Sequence, residues 1–184
     1  KESGKGSVVD AAIVDGSAHM MNLFMSLQNT GMLSEERGNS LLDGPPWSRC
    51  YRTLDDLWIS VQCLEPKFYS EFLEVMSLSD HSKFKNQLNK ENWKEMTDIL
   101  EDHFLRKSLQ EWIKIFDQTD SCVAPVLSPT QSKNDPHMDY RKTWVDDDGL
   151  IQASAAPRFN NTREDIGKIP ERGQHRDLIL SELN

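Results

Sequence analysis

Apolar residues near the start of the chain follow two different spacings. Residues 7 to 12 are mostly apolar and predict a short buried strand. From about Ile13 to Asn29 the apolar positions recur at helical intervals, which predicts one long helix. Gly31 is placed to end that helix in a left-handed conformation. Four methionines here predict core packing in preference to a fatty-acyl surface: Met20, Met21, Met25 and Met32.

The strand signals that follow lie around short turns. A polar and then Gly/Pro-rich stretch, 34 to 48, predicts a loop. Residues 51 to 53 and 58 to 63 predict two strands around an Asp55-Asp56 turn. Residues 122 to 127 are apolar and bounded by prolines, which predicts a strand that ends early or lies at a sheet edge.

Helices are predicted between and after these strands. Apolar residues at helical spacing predict helices at about 66 to 76 and 91 to 104. Ser108 and Glu111 match a capping box and predict the start of a third helix. A short helix is predicted at about 174 to 183, whereas 128 to 157 is polar and weakly patterned.

These elements predict a small α+β unit, about 40 to 127, inserted between two pieces of something larger. One strand with a long helix, together with a closing tail, cannot build a core alone. Within the tail, Asp146-Asp147-Asp148-Gly149 lacks the alternating ligands of a calcium loop and predicts a solvated turn.

Composition excludes several classes of protein. The chain has 184 residues and a net charge of −9, with a pI near 5.0 and a mean hydropathy of −0.63. An acidic chain of this kind is a poor partner for nucleic acid or an anionic membrane, and no apolar run is long enough to form a membrane span. Three cysteines without CxxC spacing argue against a disulfide framework and favour a reducing intracellular compartment.

Two carboxylates at predicted element junctions are candidates for acid–base chemistry. Pro66 suits the first position of a helix and keeps Glu65 out of the α region, so Glu65 lies at a strand-to-helix corner. Apolar neighbours at Leu64 and Phe68 predict burial of this carboxylate. Asp15 lies in the first turn of the predicted first helix, where the helix dipole favours a negative charge. Such a pair can take and return a proton.

Several motifs, in order along the chain, resemble the family III CoA-transferases (the CaiB/BaiF family), and most closely their α-methylacyl-CoA racemase branch. They are Val8-Val9-Asp10-Ala11-Ala12-Ile13-Val14-Asp15-Gly16, Arg37-Gly38-Asn39, Leu41-Leu42-Asp43-Gly44, Tyr51-Arg52-Thr53, Leu64-Glu65-Pro66-Lys67-Phe68-Tyr69, the stretch from Ile115 to Leu127 and, weakly, Gly173-Gln174-His175. Three local departures are the absence of the family's usual Gly after Asp55, Gln62-Cys63 in place of a small pair, and a shorter loop after Gly44.

The resemblance implies an incomplete family III CoA-transferase fold. A small α+β domain, 40–127, would be inserted in remnants of a Rossmann-like α/β large domain. Residues 1–39 would give that domain's strand and linking helix, and 128–184 its return segment and tail. Family members interlock as homodimers, so a similar pairing is implied for the full-length form.

The resemblance also implies a reaction on acyl-CoA. In the racemase branch Asp15 matches the catalytic aspartate and Glu65 the glutamate that works with it, and together they would epimerise 2-methylacyl-CoA thioesters. A partner histidine belongs to the family's N-terminal half, which this chain lacks, so we expect the chain alone to be inactive. CoA is part of the substrate, and no metal or redox cofactor is required. Lipid metabolism in the peroxisome, mitochondrion or cytoplasm would fit this chemistry.

Two alternatives stay open. In the transferase branch the Asp15 carboxylate would act as a nucleophile and carry CoA between carboxylic acids through an aspartyl-CoA thioester. In the other alternative, the chain is a non-catalytic fragment that only pairs with a complete chain. Loop arginines at three positions are candidates for phosphate contacts: Arg37, Arg49 and Arg52.

Overall fold

The computed structural model describes residues 4–41, 43–147, 149–160, 162 and 166–183. The chain divides into two units, Lys1–Val126 and Leu127–Asn184. All the buried hydrophobic residues that the structure describes belong to the first unit. Because apolar burial is the main driving force of folding, the first unit contains the core that positions the candidate site.

A three-stranded antiparallel sheet forms one layer of this unit. Its strands are β1 (Ser48–Arg52), β2 (Trp58–Gln62) and β3 (Val123–Pro125), in the order β1-β2-β3. The register pairs Tyr51 with Ile59 and Val61 with Val123. The two predicted strands around the Asp55-Asp56 turn are therefore confirmed, and so is the short strand at a sheet edge.

Three helices share a hydrophobic core with this sheet. They are α3 (Pro66–Val75), α4 (Lys90–Phe104) and α5 (Leu109–Phe116), close to the three predicted ranges. The capping box is confirmed, since the Ser108 hydroxyl accepts from the Glu111 N–H and the Glu111 carboxylate accepts from the Ser108 N–H. Large side chains from sheet, helices and loops fill the space between the layers: Trp47, Tyr51, Ile59, Val61, Phe72, Phe84, Met96, Leu100, Phe104 and Trp112.

The N-terminal part of the unit differs from the prediction. Residues 7 to 12 form no strand and are almost entirely exposed, because an isolated apolar segment has no neighbouring strand to satisfy its backbone. The predicted long helix is interrupted, with α1 at Ile13–Met20 and α2 at Asn22–Asn29. Met21 between them has ψ −8°, away from the about −42° of an α-helix. Gly31 has φ +72°, which confirms the left-handed stop.

The predicted core packing of the four methionines is wrong. Met20 is 77% exposed and the other three are 45–54% exposed. Neither α1 nor α2 contains a buried residue. This part of the chain therefore presents an apolar surface rather than a core.

The second unit contains elements that the weak pattern of 128 to 157 did not predict. They are α6 (Pro129–Ser132), α7 (Pro136–Tyr140) and a hairpin of β4 (Trp144–Asp147) and β5 (Leu150–Ala153). The predicted C-terminal helix is present as α8 (Arg176–Glu182). At the hairpin turn Asp146 accepts from the Gly149 N–H at 2.8 Å, while Asp148 lies outside the described residues. Among the helices described, none has the length and apolar character needed to cross a membrane.

Candidate active site

Glu65 lies where the chain leaves β2 and enters α3, as predicted. It is the N-cap of α3, with φ −73° and ψ 142°, and Pro66 follows at the start of the helix. The Glu65 side chain makes no capping hydrogen bond. Its carboxylate is therefore not committed to stabilising its own helix, although N-cap side chains usually are.

Hydrogen bonds hold the backbone on both sides of this corner. The Cys63 N–H donates to the Trp47 carbonyl at 3.0 Å, and the Tyr69 N–H donates to the Glu65 carbonyl at 3.0 Å. Between them, the Gln87 side-chain amide donates to the Cys63 carbonyl at 3.2 Å and the Leu64 carbonyl at 3.0 Å. The sequence pattern does not reveal Gln87, because its surroundings follow neither helical nor strand spacing.

Aromatic side chains support the corner from inside. The Trp47 ring packs edge-on against Trp93 at 5.4 Å and against Tyr69 at 5.7 Å between ring centroids. Trp93 also donates its indole N–H to the Gln87 carbonyl at 3.0 Å, and the Tyr69 hydroxyl donates to the Phe84 carbonyl at 3.0 Å. Glu65 is thus an exposed carboxylate mounted on a rigid, buried base.

The expectation that apolar neighbours bury Glu65 is wrong in this chain. Glu65 is exposed, and Leu64 beside it is 44% exposed. A residue between a strand and a helix contacts the core on one side only. Two apolar neighbours along the chain therefore do not bury its side chain. Any exclusion of water around Glu65 has to come from groups other than its sequence neighbours.

Two free thiols lie close to Glu65. Burial raises the pKa of Cys63 to about 12, and the nearby charges of Cys122 and Glu65 add to this effect. Burial also raises the pKa of Cys122, together with the charges of neighbouring carboxylates. Both thiols are therefore mostly protonated at neutral pH, and neither is activated as a catalytic nucleophile.

Asp15 lies in the first turn of α1, as predicted, and is exposed. His19 follows in the last turn of the same helix and is also exposed. Within the described part of the chain, no hydrogen bond or ion pair joins Asp15 to Glu65. Their convergence on one substrate stays a prediction.

The Asp43-Gly44 motif organises a loop. The Asp43 carboxylate accepts from the Ser40 hydroxyl at 2.5 Å and from the N–H groups of Gly38 and Ser40. These bonds, led by the Ser40 hydroxyl and helped by Arg37, lower the pKa of Asp43 to about 2. Gly44 is buried, with the Ser40 carbonyl and the Trp93 ring 2.9 Å from the place where a Cβ would lie. This motif therefore has a structural role in the loop that leads to β1.

Each of the three candidate phosphate-binding arginines contacts a protein partner. Arg37 pairs with Asp43 at 3.2 Å, and Arg52 pairs with Asp56 at 2.7 Å. Arg49 donates to the Thr97 hydroxyl at 3.2 Å and lines an open groove of about 370 Å³ beside α4. Among the described residues, no group of three His, Cys, Asp or Glu side chains could hold a metal ion. That the reaction requires no metal ion stays a prediction.

Comparison with known proteins identifies the family. The model for CoA-transferase family III matches residues 1–176. The chain belongs to CoA-transferase family III. The resemblance inferred from the ordered motifs is thereby confirmed.

Individual members of family III are similar to this chain over different parts of their length. The chain is 31% identical to mouse (Mus musculus) and 32% identical to human (Homo sapiens) α-methylacyl-CoA racemase, in each case over 98% of this chain and 48% of the relative. It is 28% identical to a CaiB/baiF CoA-transferase family protein of Caenorhabditis elegans, over 67% of this chain and 35% of the relative. The chain thus spans about half the length of the two racemases.

Solved structures share the fold. A CAIB/BAIF family protein from Brucella suis superposes with a TM-score of 0.72 at 16% identity, over 100% of this chain and 50% of that one. The protein Rv3272 from Mycobacterium tuberculosis superposes with a TM-score of 0.67 at 17% identity, over 96% of this chain and 47% of that one. The small α+β unit is consistent with part of the family III fold, and the predicted Rossmann-like large domain and its boundaries stay predictions.

Proposed function

We propose that this chain supplies part of the active site of an α-methylacyl-CoA racemase-like enzyme. The observation that carries the proposal is Glu65, an exposed carboxylate without a capping bond on a corner that is hydrogen-bonded from both sides. The similarity to mammalian racemases along 98% of the chain supports the same choice. The substrate class is 2-methylacyl-CoA thioesters.

The reaction requires one group on each face of the α-carbon. One group removes the α-proton, the thioester oxygen takes up the negative charge of the enolate, and the second group returns a proton to the opposite face. In this proposal Glu65 acts on one face. Asp15, assisted by a histidine from the remainder of the assembly, acts on the other. Both carboxylates are exposed in this chain, and the proposal assigns their enclosure to the substrate and a partner subunit.

Exchange of the α-hydrogen tests this function. A 2-methylacyl-CoA is incubated in D2O with this chain, alone and mixed with a complete family III homologue. Mass spectrometry measures the deuterium at the α-carbon beyond that introduced by the homologue alone. We expect Asp15→Asn and Glu65→Gln to reduce exchange by about 100-fold or more. Glu74→Gln, an exposed position on the same α3 helix, is the matched control and should leave exchange unchanged. Unchanged exchange in both site variants, with folding retained, contradicts the proposal.

A CoA-transferase is the second candidate, because Asp15 is exposed and available as a nucleophile. Its carboxylate would attack the acyl-CoA thioester, releasing the CoA thiolate and forming a mixed anhydride. The thiolate would then attack the aspartyl carbonyl, giving an aspartyl-CoA thioester and the free acid. Trapping CoA covalently on a peptide that contains Asp15 favours this reaction, and α-exchange without an adduct favours the racemase.

The same proposal includes pairing with a second family III chain, as in an interlocked homodimer. It is supported by the exposed apolar residues of the N-terminal segment, where Val8, Ile13 and Met20 are 97%, 87% and 77% exposed. Light scattering after size exclusion should detect association, and Ile13→Gln should weaken it, whereas Ile179→Gln in α8 should not. Pairing that adds no α-exchange to that of the homologue alone would identify a non-catalytic fragment.

A further inference from the structure

The direction of the Glu65 carboxylate depends on its backbone. Its side chain makes no capping hydrogen bond that would fix it. The backbone sets the direction of the Cα–Cβ bond, so whatever fixes the preceding two peptide groups also fixes the point and the direction from which the Glu65 side chain extends.

Gln87 contacts both of those peptide groups. Its side-chain nitrogen lies 3.2 Å from the Cys63 carbonyl oxygen and 3.0 Å from that of Leu64. A primary amide has two N–H donors, so one group satisfies two consecutive carbonyls at the point where β2 has ended and α3 has not begun. Neither helix nor sheet bonding can serve both carbonyls at such a junction.

Gln87 is itself held in place. It is half-buried, and its carbonyl accepts from the indole N–H of Trp93 at 3.0 Å. Trp93 is 5% exposed and packs against Trp47, whose carbonyl accepts from the Cys63 N–H. These hydrogen bonds, joined by the edge-on contact of the two indole rings, link the corner through Gln87, Trp93 and Trp47 back to the corner.

We propose that Gln87 is a positioning residue for Glu65, bridging the Cys63 and Leu64 carbonyls so that the carboxylate keeps its orientation toward substrate. This role rests on the acid–base function proposed for Glu65. Gln87 itself does not touch the substrate.

Three variants test the role. Gln87→Met keeps the length of the side chain and removes both N–H donors. Gln87→Glu keeps the shape of the side chain but places carboxylate oxygens, which cannot donate, against the two carbonyl oxygens. Asp55→Asn is the control, because it weakens the bond from the Leu109 N–H to Asp55 at the opposite end of β2. A packing role would rank glutamate above methionine as a substitute, whereas a donor role ranks it below.

The first readout is hydrogen exchange of the Tyr69 amide, which reports on its bond to the Glu65 carbonyl. We expect it to exchange about tenfold faster in Gln87→Met, and faster still in Gln87→Glu, with no such local change in Asp55→Asn. Wild-type protection of Tyr69 in Gln87→Glu overturns the proposal, whatever the enzymatic result.

The second readout is turnover in the α-exchange assay. Gln87→Met should lower kcat about tenfold or more and leave KM within about twofold, the pattern of a misdirected catalytic group. A loosened corner with unchanged kcat overturns the positioning role. If the wild-type chain adds no α-exchange to that of the complete homologue, the racemase proposal fails, while Tyr69 protection still decides whether Gln87 holds the corner.

Discussion

At the scale of single residues, two positions next to β1 and β2 show opposite requirements for a Cβ atom. Gly44 is surrounded by backbone oxygens and the Trp93 ring, so that no Cβ fits. Asp56 carries a Cβ with φ +60°, a left-handed conformation that glycine adopts without strain. The family's usual glycine after Asp55 is explained by this turn.

We predict that Gly44→Ala lowers the free energy of unfolding by about 3 kcal/mol, because the added methyl overlaps groups that cannot move away easily. Urea denaturation followed by tryptophan fluorescence measures the change. Gly16→Ala in α1 is the matched control, since no atom lies within 4 Å of its Cβ position, and it should be neutral or slightly stabilising. Equal effects of the two substitutions would contradict the steric argument.

At Asp56 the comparison of two variants isolates the backbone strain. Both Asp56→Gly and Asp56→Ala remove the ion pair with Arg52, which is exposed on both sides and contributes little. Only glycine removes the Cβ. We expect Asp56→Gly to be more stable than Asp56→Ala by about 1 kcal/mol in urea denaturation, and equal midpoints with equal slopes would show that the turn is unstrained.

Residues were predictable where local covalent chemistry dictates the conformation. Pro66 fixes its own φ and restricts Glu65, so the corner could be placed from sequence alone. Gln87 could not be found in this way, because its partners are 23 and 24 positions away along the chain. The exposure of Glu65 was likewise outside the reach of a sequence pattern, since it depends on what packs above the corner.

At the scale of elements, prediction succeeded where two signals coincided. α5 has a capping box and an apolar stripe, and α3 has a proline at its start and an apolar face. For residues 7 to 12 the apolar composition was the only signal for a strand, and a strand also needs a neighbouring strand to pair with. β4 and β5 were missed because each has only four residues, with adjacent apolar positions and no alternation of apolar and polar residues to mark a strand.

The loop that carries Asp43 should make stability depend on acid pH. The folded pKa of Asp43 is about 2, below the ordinary 3.8, so its contribution is present above about pH 4 and is lost as the pH falls toward 2. We expect the wild type to lose more stability across this window than Asp43→Asn, measured by urea midpoints at several pH values. Asp80→Asn, which removes an exposed charge elsewhere, controls for net charge and should follow the wild type. Parallel curves for wild type and Asp43→Asn would contradict this role.

At the scale of the whole molecule, burial is divided unequally between the two units. The first unit contains a core of large aromatic and aliphatic side chains. In the second unit, no residue is buried among those whose burial the structure describes, 127–146, 149–160, 162 and 166–183. Units with little apolar burial open at low free-energy cost.

We therefore expect the amides of the β4–β5 hairpin to exchange with solvent much faster than those of β2. Hydrogen exchange followed by mass spectrometry would compare peptides covering 144–153 with peptides covering 58–62. The expected difference is about 100-fold or more, because opening β2 requires disruption of the core whereas opening the hairpin exposes little new apolar surface. Similar protection in both peptides would show that the second unit is stabilised by contacts beyond its own chain.

The burial of Cys63 makes it a chemical probe of the corner between β2 and α3. Cys50 and Cys122 are exposed, whereas Cys63 is fully buried and directly precedes Leu64 and Glu65. A maleimide applied briefly to the folded chain should therefore label the first two cysteines and spare the third. The rate at which Cys63 becomes labelled then measures how often the backbone next to Glu65 opens transiently. Mass spectrometry of the peptide that contains Cys63 gives this rate without any substrate.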